Sequence, residues 1–297
     1  MTDTEAPELL QPRVLVEDVP RPVCLRWHAE RLWFLDGRAL CTADLQGRTA
    51  VALTATAGTA FCFGANAQLF FVDMQRGDLF RQEADGPRRL VRVYPFGGLI
   101  DFVAHPRGQL YFIGRGFDSL LREPRTGNLF LVSPDGVVKT VIEESLALPT
   151  GIDVSPDGGT LLLAEDLEPR LTAYPLAPDG TPSRGRKLNM QWSKETHVRR
   201  LCADAAGGVW VVTWWNRSPG APRTVPAYEC IRVTESAGVT HRIPMPGKWI
   251  DACVLGGPDH QTLFLGTTLE VEDGKQQPTD RGFIEAVSLD IPEAGWP

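Results

Sequence analysis

Six short apolar runs recur along the chain, each after a turn signal and each with a leucine or valine at the same place. They begin at Leu32, Leu69, Leu110, Leu161, Val209 and Leu263. Subtracting successive starts gives intervals of 37, 41, 51, 48 and 54 residues. A sheet-forming unit that recurs at this period is typical of a β-propeller. The six runs therefore predict six blades.

The residues around each run predict the layout of one blade. An apolar strand leads through a turn to the recurring run, and two further strands follow. Glycine, aspartate and proline set these turns, as in Pro134-Asp135-Gly136 and Asp157-Gly158. Strand-like stretches at 13–17 and 282–288 lie outside the first and last runs, and their pairing would remove an exposed edge. We predict an all-β, six-bladed β-propeller, closed by strands from the two termini, as a single domain over residues 1–297.

Composition narrows the class of protein. Apolar residues make up 43% of the 297 residues, enough for one large core. A net charge of −7 argues against nucleic acid as a partner, because phosphates favour a basic face. The chain has no apolar stretch of the roughly 18 residues that suggest a membrane span, and residues 1–11 do not resemble a secretory signal. We expect a cytoplasmic protein with no membrane partner.

The cysteines carry no metal-binding or disulfide pattern. None forms a CxxC pair, and most lie inside apolar stretches, where cysteine packs as a small hydrophobic residue. We therefore predict buried free thiols in a reducing compartment at positions Cys24, Cys41, Cys62, Cys202, Cys230 and Cys253.

Four segments carry a resemblance to a known family, at 26–33, 149–158, 203–210 and 256–259. They read Arg-Trp-His-Ala-Glu-Arg-Leu-Trp, Pro-Thr-Gly-Ile-Asp-Val-Ser-Pro-Asp-Gly, Ala-Asp-Ala-Ala-Gly-Gly-Val-Trp and Gly-Gly-Pro-Asp. Over almost its whole length the chain resembles the senescence marker protein/gluconolactonase/luciferin-regenerating enzyme-like family. The resemblance implies a six-bladed propeller. Members of that family are typically calcium- or zinc-dependent lactonases and esterases.

The chain departs from the family where the metal should be bound. The resemblance places the metal ligands, one Glu, two Asn and one Asp, at Val23, Ile100, Thr150 and Arg199. A hard cation needs oxygen ligands, which valine and isoleucine lack, and arginine brings a positive charge of its own. We therefore predict no metal and no other cofactor.

Candidate chemistry remains at the first strands of the blades, which are expected to line the central channel. Arg199, followed by Arg200, could anchor a carboxylate or stabilise developing negative charge. Asp101 and Asp251 lie at channel-side positions and are candidates for general acid/base catalysis. The alternative for each aspartate is a structural role, capping a turn or pairing with an arginine between blades.

Aromatic residues near these positions predict a binding pocket. Trp249 and one of Trp214 and Trp215 are candidate pocket walls, since the two neighbours on a strand face opposite ways. His197 could reach the same mouth, although a lone histidine is more often a loop residue. Thr150 completes the predicted substrate-binding set.

Glu165 and Asp166 form a carboxylate pair after the fourth run. We expect a solvated loop here, since carboxylates seldom lie fully buried. A replacement cation site is the alternative.

Three functional hypotheses follow. The leading one is a metal-independent enzyme that performs lyase, cyclase or isomerase chemistry, of a kind suited to specialised metabolism, on an anionic and partly apolar small molecule. The second is a lactonase or esterase that depends on calcium or zinc held by a rearranged ligand set from Asp101, Asp251 or Glu165. The third is a non-catalytic propeller that binds a small molecule, because a fold does not determine a function.

Overall fold

The computed structural model describes the residues whose ranges are 6–54, 59–94, 98–118, 123–188, 190, 195–215, 227–270 and 278–291. In this part of the chain every regular element is a β-strand. No helix long and apolar enough to cross a membrane occurs among these residues.

The strands in the described part of the chain form six sheets, numbered here in chain order, and every pairing is antiparallel except that of β1 with β22. The chain divides into two compact units, one of Met1–Ala55 with Leu188–Gly295 and the other mainly of Thr56–Lys187. Sheets 1, 5 and 6 belong to the first unit, and sheets 2, 3 and 4 to the second. The single-domain assignment from the sequence stays a prediction.

In the first unit, sheet 1 contains β3 (Val23–His28), β4 (Arg31–Leu35), β5 (Ala39–Ala43) and β6 (Thr49–Thr54). Sheet 5 contains β19 (Thr196–Ala203), β20 (Val209–Trp215), β21 (Ala227–Thr234) and β22 (Gly238–Met245), with β1 (Glu8–Leu9) parallel to β22. Sheet 6 contains β23 (Lys248–Gly256), β24 (Thr262–Glu270), β25 (Pro278–Ser288) and β2 (Arg13–Val19).

In the second unit, sheet 2 contains β7 (Thr59–Phe63), β8 (Leu69–Asp73), β9 (Asp78–Glu83) and β10 (Gly86–Arg92). Sheet 3 contains β11 (Leu99–Ala104), β12 (Leu110–Asp118), β13 (Glu123–Val132) and β14 (Val138–Leu146). Sheet 4 contains β15 (Pro149–Val154), β16 (Thr160–Glu165), β17 (Arg170–Pro175) and β18 (Arg186–Lys187).

The six recurring apolar runs are the second strands of the six sheets, β4, β8, β12, β16, β20 and β24. A second strand is flanked by strands on both sides, and β12, β16, β20 and β24 bury most residues on both faces, which explains their nearly continuous apolar sequence. Leu161 and Leu163 of β16, for example, are fully buried, and Leu162 between them is 8% exposed. The residues of β8 are mostly only partly buried.

The two ends of the chain meet in sheet 6. Strand β2 pairs antiparallel with β25, and Val16 lies opposite Ile284. Both residues are buried in a core that sheet 6 shares with sheet 1, where Trp27 stacks on Phe264 with ring centroids 5.5 Å apart. The predicted closure by strands from the two termini is confirmed.

Apolar side chains pack between neighbouring sheets within each unit. One core joins sheets 5 and 6 around Trp210 and Leu265, and another joins sheets 3 and 4 around Tyr111 and Leu163. All six cysteines are thiols rather than disulfides, and all except the partly buried Cys24 are buried, which confirms their predicted packing role for those five. Burial raises the pKa of the Cys41 thiol to about 11, with a further contribution from Asp36.

Candidate functional site

The first strands of the sheets share a local irregularity. In the described part of the chain, five of the six contain a β-bulge against the second strand, while β7 pairs with β8 without a shift. A bulge sets two residues against one and redirects side chains, and bulges are frequent beside active sites. The bulged residues are Cys24 and Leu25 in sheet 1, Ile100 in sheet 3, Thr150 in sheet 4, Arg199 and Arg200 in sheet 5, and Asp251 in sheet 6.

The bulge in sheet 5 presents two arginines. Val198 pairs with Thr213 and Leu201 with Val211, so the two arginines together oppose one residue of β20. The Nε of Arg200 donates a hydrogen bond to the main-chain oxygen of Asp251 at 3.4 Å, which connects this bulge with the bulge of sheet 6. The guanidinium carbon of Arg199 lies 6.0 Å from the centre of the Trp249 ring. Arg200 thus contacts the neighbouring backbone, and Arg199 contacts an aromatic face.

A series of rings continues from this arginine. Trp249 lies 5.0 Å from Tyr228, and Tyr228 lies 6.1 Å from Trp214, centre to centre. Trp214 in turn stacks on His197, with 3.9 Å between centres and 11° between planes. Tyr228 is buried, whereas the other three rings and Arg199 are partly exposed. The buried Tyr228 therefore lies in the middle of the series, and the rings on either side of it are partly exposed.

Asp251 follows Trp249 by two residues on β23 and is itself buried, with 7% of its surface exposed. Its Oδ2 accepts a hydrogen bond from the Oγ1 of Thr268, a fully buried residue of β24, at 2.6 Å. This bond fixes the orientation of the carboxylate, because both groups are held on paired strands. A carboxylate held in this way can exchange a proton with a bound molecule.

The remaining predicted site residues divide between the two units. Trp215 is partly buried in sheet 5, opposite Thr196 and Ala227, and alternation sends it to the other face from Trp214. Asp101 and Thr150 lie in the second unit. The Oδ1 of Asp101 accepts a hydrogen bond from the amide of the next residue at 2.9 Å, a contact that suits its structural alternative.

The prediction of a solvated loop is wrong for Glu165. Its side chain is fully buried and receives two hydrogen bonds from Arg170, at 2.8 and 2.6 Å. The hydroxyl of Thr172 and the amide of Ala147 complete the set, at 3.0 and 2.7 Å. The carboxylate is buried because these four donors replace water. Oxygens engaged in this way are poorly placed to bind a cation.

The four positions that the family resemblance assigns to metal ligands do not fit a hard cation. Val23 and Ile100 have no side-chain oxygen, and the hydroxyl of Thr150 is buried and donates to the oxygen of Ala164 at 3.4 Å. At the fourth position the Arg199 guanidinium supplies only donors and a positive charge. Among the described residues there is also no group of three or more His, Cys, Asp or Glu side chains able to hold a metal ion.

Sequence reasoning missed three contributors, Tyr228, Thr268 and the contact of Arg200 with Asp251. Tyr228 is the second residue of β21, and its apolar neighbours in sequence indicate a core position and nothing more. Thr268 is one of two adjacent threonines near the end of β24. Threonine is common in β-strands, so its presence there gives no sign of a functional role. Only the pairing of strands shows that these side chains face the candidate residues.

Solved structures with low sequence identity share this fold. Regucalcin from Agrobacterium tumefaciens, described as a calcium-binding protein, matches with a TM-score of 0.75 and 18% identity, covering 98% of this chain and 99% of that one. Luciferin-regenerating enzyme gives 0.74 and 17%, covering 95% and 97%. A gluconolactonase from Xanthomonas campestris gives 0.67 and 20%, covering 92% and 88%. The predicted six-bladed β-propeller is confirmed.

The sequence carries the corresponding family signature. The family model described as the SMP-30/Gluconolactonase/LRE-like region matches residues 22–269, from the residue before β3 to the last residue but one of β24. The chain belongs to the SMP-30/gluconolactonase/LRE-like family.

Proposed function

We propose that the chain is a metal-independent enzyme that acts on an anionic, partly apolar small molecule by proton transfer, in a lyase, cyclase or isomerase reaction. The observation that carries the proposal is the pair of connected bulges. One supplies Arg199 beside Trp249, and the other supplies the buried Asp251. We place this chemistry in the cytoplasm, as the sequence predicts.

Each residue has a distinct role in the proposed reaction. Arg199 binds the anionic group of the substrate and stabilises negative charge that develops in the transition state. Asp251 accepts or returns the proton, and Thr268 holds its carboxylate in one orientation. General acid/base catalysis by one group contributes about 10²- to 10⁴-fold in rate. The fold alone does not choose the reaction, since one fold carries many chemistries.

The side chains at the four positions that the family resemblance assigns to metal ligands argue against metal-assisted hydrolysis. A bound metal would polarise a lactone carbonyl and activate water for hydrolysis. The side chains at the four inherited positions are unsuited to that ion, whereas an arginine and a carboxylate in adjacent bulges are suited to proton transfer without it.

Metal content and turnover test the proposal together. The protein is treated with EDTA, its calcium and zinc are measured by mass spectrometry, and a panel of carboxylic acids, lactones and aryl esters is offered with and without each ion. We expect turnover of a carboxylic acid by the metal-free protein, with no gain on adding either ion. Turnover that requires calcium or zinc would establish the metal-dependent hydrolase instead.

Two variants assign the roles. Asp251→Asn should lower kcat by about 100-fold or more while leaving substrate affinity within a few-fold, because the proton acceptor is lost and the shape is kept. Arg199→Ala should raise KM. If ligands bind in an Arg199-dependent way but no substrate is turned over, the chain is a non-catalytic binding protein and the enzymatic proposal fails.

A further inference from the structure

The aromatic rings beside Arg199 show a common orientation. The planes of His197 and Trp214 differ by 11°, and those of Trp214 and Tyr228 by 18°. Parallel, offset rings of this kind stack favourably, and a further flat ring added to the series gains the same interaction. Trp249 departs from the common plane, at 38° to Tyr228, and lies beneath the guanidinium of Arg199.

Exposure shows where the series can accept a ligand. Tyr228 is 2% exposed and belongs to the core, while Trp214 and Trp249 pack against that core and keep part of their surface accessible. His197 and Arg199 are also partly exposed on β19. The accessible surface of this cluster thus comes from three aromatic rings and one guanidinium.

The surroundings of the rings disfavour a polyhydroxylated ligand. The buried side chains packed with Trp214 and Trp249 include Val212, Met245 and Ile250. A sugar acid carries a hydroxyl on almost every carbon, and each hydroxyl that loses water without a new partner has a free-energy cost. A conjugated ring has no such requirement and gains from contact with aromatic faces.

The guanidinium of Arg199 adds a preference for ligands that carry a carboxylate. A guanidinium is planar, always charged and able to bind both oxygens of a carboxylate at once. A guanidinium is also attracted to the face of an aromatic ring, and Arg199 lies over Trp249 at 6.0 Å from the ring centre. A ligand that carries its carboxylate in the plane of a conjugated ring could therefore stack and pair with Arg199 at the same time.

From this arrangement we infer that the substrate is a planar, conjugated carboxylate, bound with its ring against the partly exposed rings of His197, Trp214 and Trp249 and its carboxylate on Arg199. The inference rests on the proposed function and narrows its substrate class. Saturated acids, polyhydroxy acids and neutral aromatics each lack one of the two matched features.

Binding of matched probes tests the substrate class without knowledge of the reaction. The probes are 2-naphthoate, its fully saturated decalin carboxylate, the neutral 2-naphthylmethanol and gluconate, titrated by calorimetry against the full chain. We expect 2-naphthoate to bind at least 10-fold more tightly than each of the others. Arg199→Ala should weaken 2-naphthoate by 10-fold or more and leave 2-naphthylmethanol within 2-fold.

Two further variants complete the design. Trp249→Leu should reduce the preference for naphthoate over its saturated analogue to less than 3-fold, and Trp249→Phe, a milder change, should retain part of it. Circular dichroism melting checks that both variants fold. Arg48→Gln, which removes an exposed arginine from the turn between β5 and β6, serves as the charge control and should change no affinity.

The outcomes separate the two proposals. If the saturated acid or gluconate binds as tightly as 2-naphthoate and Arg199→Ala weakens it, the anion site stands and the conjugated class is wrong. If no acid binds in an Arg199-dependent way, the anion site fails as well, and with it both proposals. A strong preference for 2-naphthoate that survives Trp249→Leu also contradicts the assigned ring contacts.

Discussion

Two glutamates on one arginine show how burial changes the value of an ion pair. Arg170 binds Glu165 at 2.6 Å and Glu168 at 2.6 Å, but the first carboxylate is fully buried and the second is 68% exposed. Coulomb attraction is strong where water is excluded, and an arginine that loses a buried carboxylate partner is left with an uncompensated charge. Exposed pairs contribute little because water screens them.

We therefore expect unequal effects from the same substitution at the two positions. Glu165→Gln should lower the free energy of unfolding by roughly 2–4 kcal/mol, toward the lower part of the range for buried pairs because Arg170 keeps 19% of its side-chain surface exposed. Glu168→Gln, the matched control, should change it by less than about 0.5 kcal/mol. Urea denaturation measures both, and equal losses would contradict the assigned role of Glu165.

At the scale of elements, a histidine connects the turns of two sheets. His105 lies in the turn between β11 and β12, where its Nδ1 accepts the amide of Arg107 at 3.0 Å. Its Nε2 therefore carries the proton and donates to the oxygen of Gly158, in the turn between β15 and β16, at 2.8 Å. Gly158 has a φ of +67°, and an added Cβ would lie 3.2 Å from the same nitrogen. A side chain larger than glycine would disturb this link.

This link should make stability depend on pH. Burial, and to a smaller extent Arg107, lowers the pKa of His105 below its ordinary value of 6.5, although the bond to Gly158 acts in the opposite direction. The unfolded chain therefore binds a proton more readily, so stability falls as pH decreases below 6.5 until the folded histidine also titrates. Above 6.5 the contribution is fully present.

The variant His105→Asn should show this difference in a urea series between pH 5 and 7.5. Asparagine can still accept the turn amide, as Asp204 does from Ala206 at 3.0 Å in the matching turn of sheet 5, but it is too short to reach Gly158. We expect a loss of about 1–3 kcal/mol at pH 7.5 and a smaller loss at pH 5. His260→Asn, an exposed position in the corresponding turn of sheet 6, is the control. A constant loss across the pH range would contradict the titration.

At the scale of the molecule, residues near the N-terminus contribute to two sheets in succession. Strand β1 adds to the outer edge of sheet 5, where Glu8 lies 3.3 Å from His241, and Leu10 donates its amide to Arg242 at 2.9 Å. Strand β2 then becomes the outer strand of sheet 6 and buries Val16 and Val19. The second contact contributes far more apolar burial than the first.

Two truncations should separate these contributions. Removing residues 2–11 takes away β1 alone, and we expect the melting temperature to fall by only a few degrees. Removing residues 2–19 also exposes the backbone edge of β25 and the core around Ile284, so we expect loss of the cooperative transition and aggregation. Circular dichroism melting and size-exclusion chromatography measure both. Cooperative melting of the shorter chain near the full-length temperature would show that closure by β2 is dispensable.

The hydrophobic pattern by itself determined the class of fold. Apolar runs at a regular period, with Gly and Asp turns between them, are local signals, because alternation and turn chemistry depend on a few neighbouring residues. These local signals predicted six sheets and the position of the second strand in each sheet. They also predicted that a strand from each end of the chain pairs in one sheet. Burial of the cysteines could be predicted for the same reason, since their neighbours in sequence are apolar.

The candidate site depended on tertiary structure. Whether Asp251 is exposed or held by Thr268, and whether Glu165 is solvated or buried on Arg170, depends on strand pairing. A sequence does not show which residue a bulge will redirect, because a bulge is a difference in register between two strands. Residues distant in the chain, such as Arg199 and Trp249, become neighbours only when sheets 5 and 6 pack together.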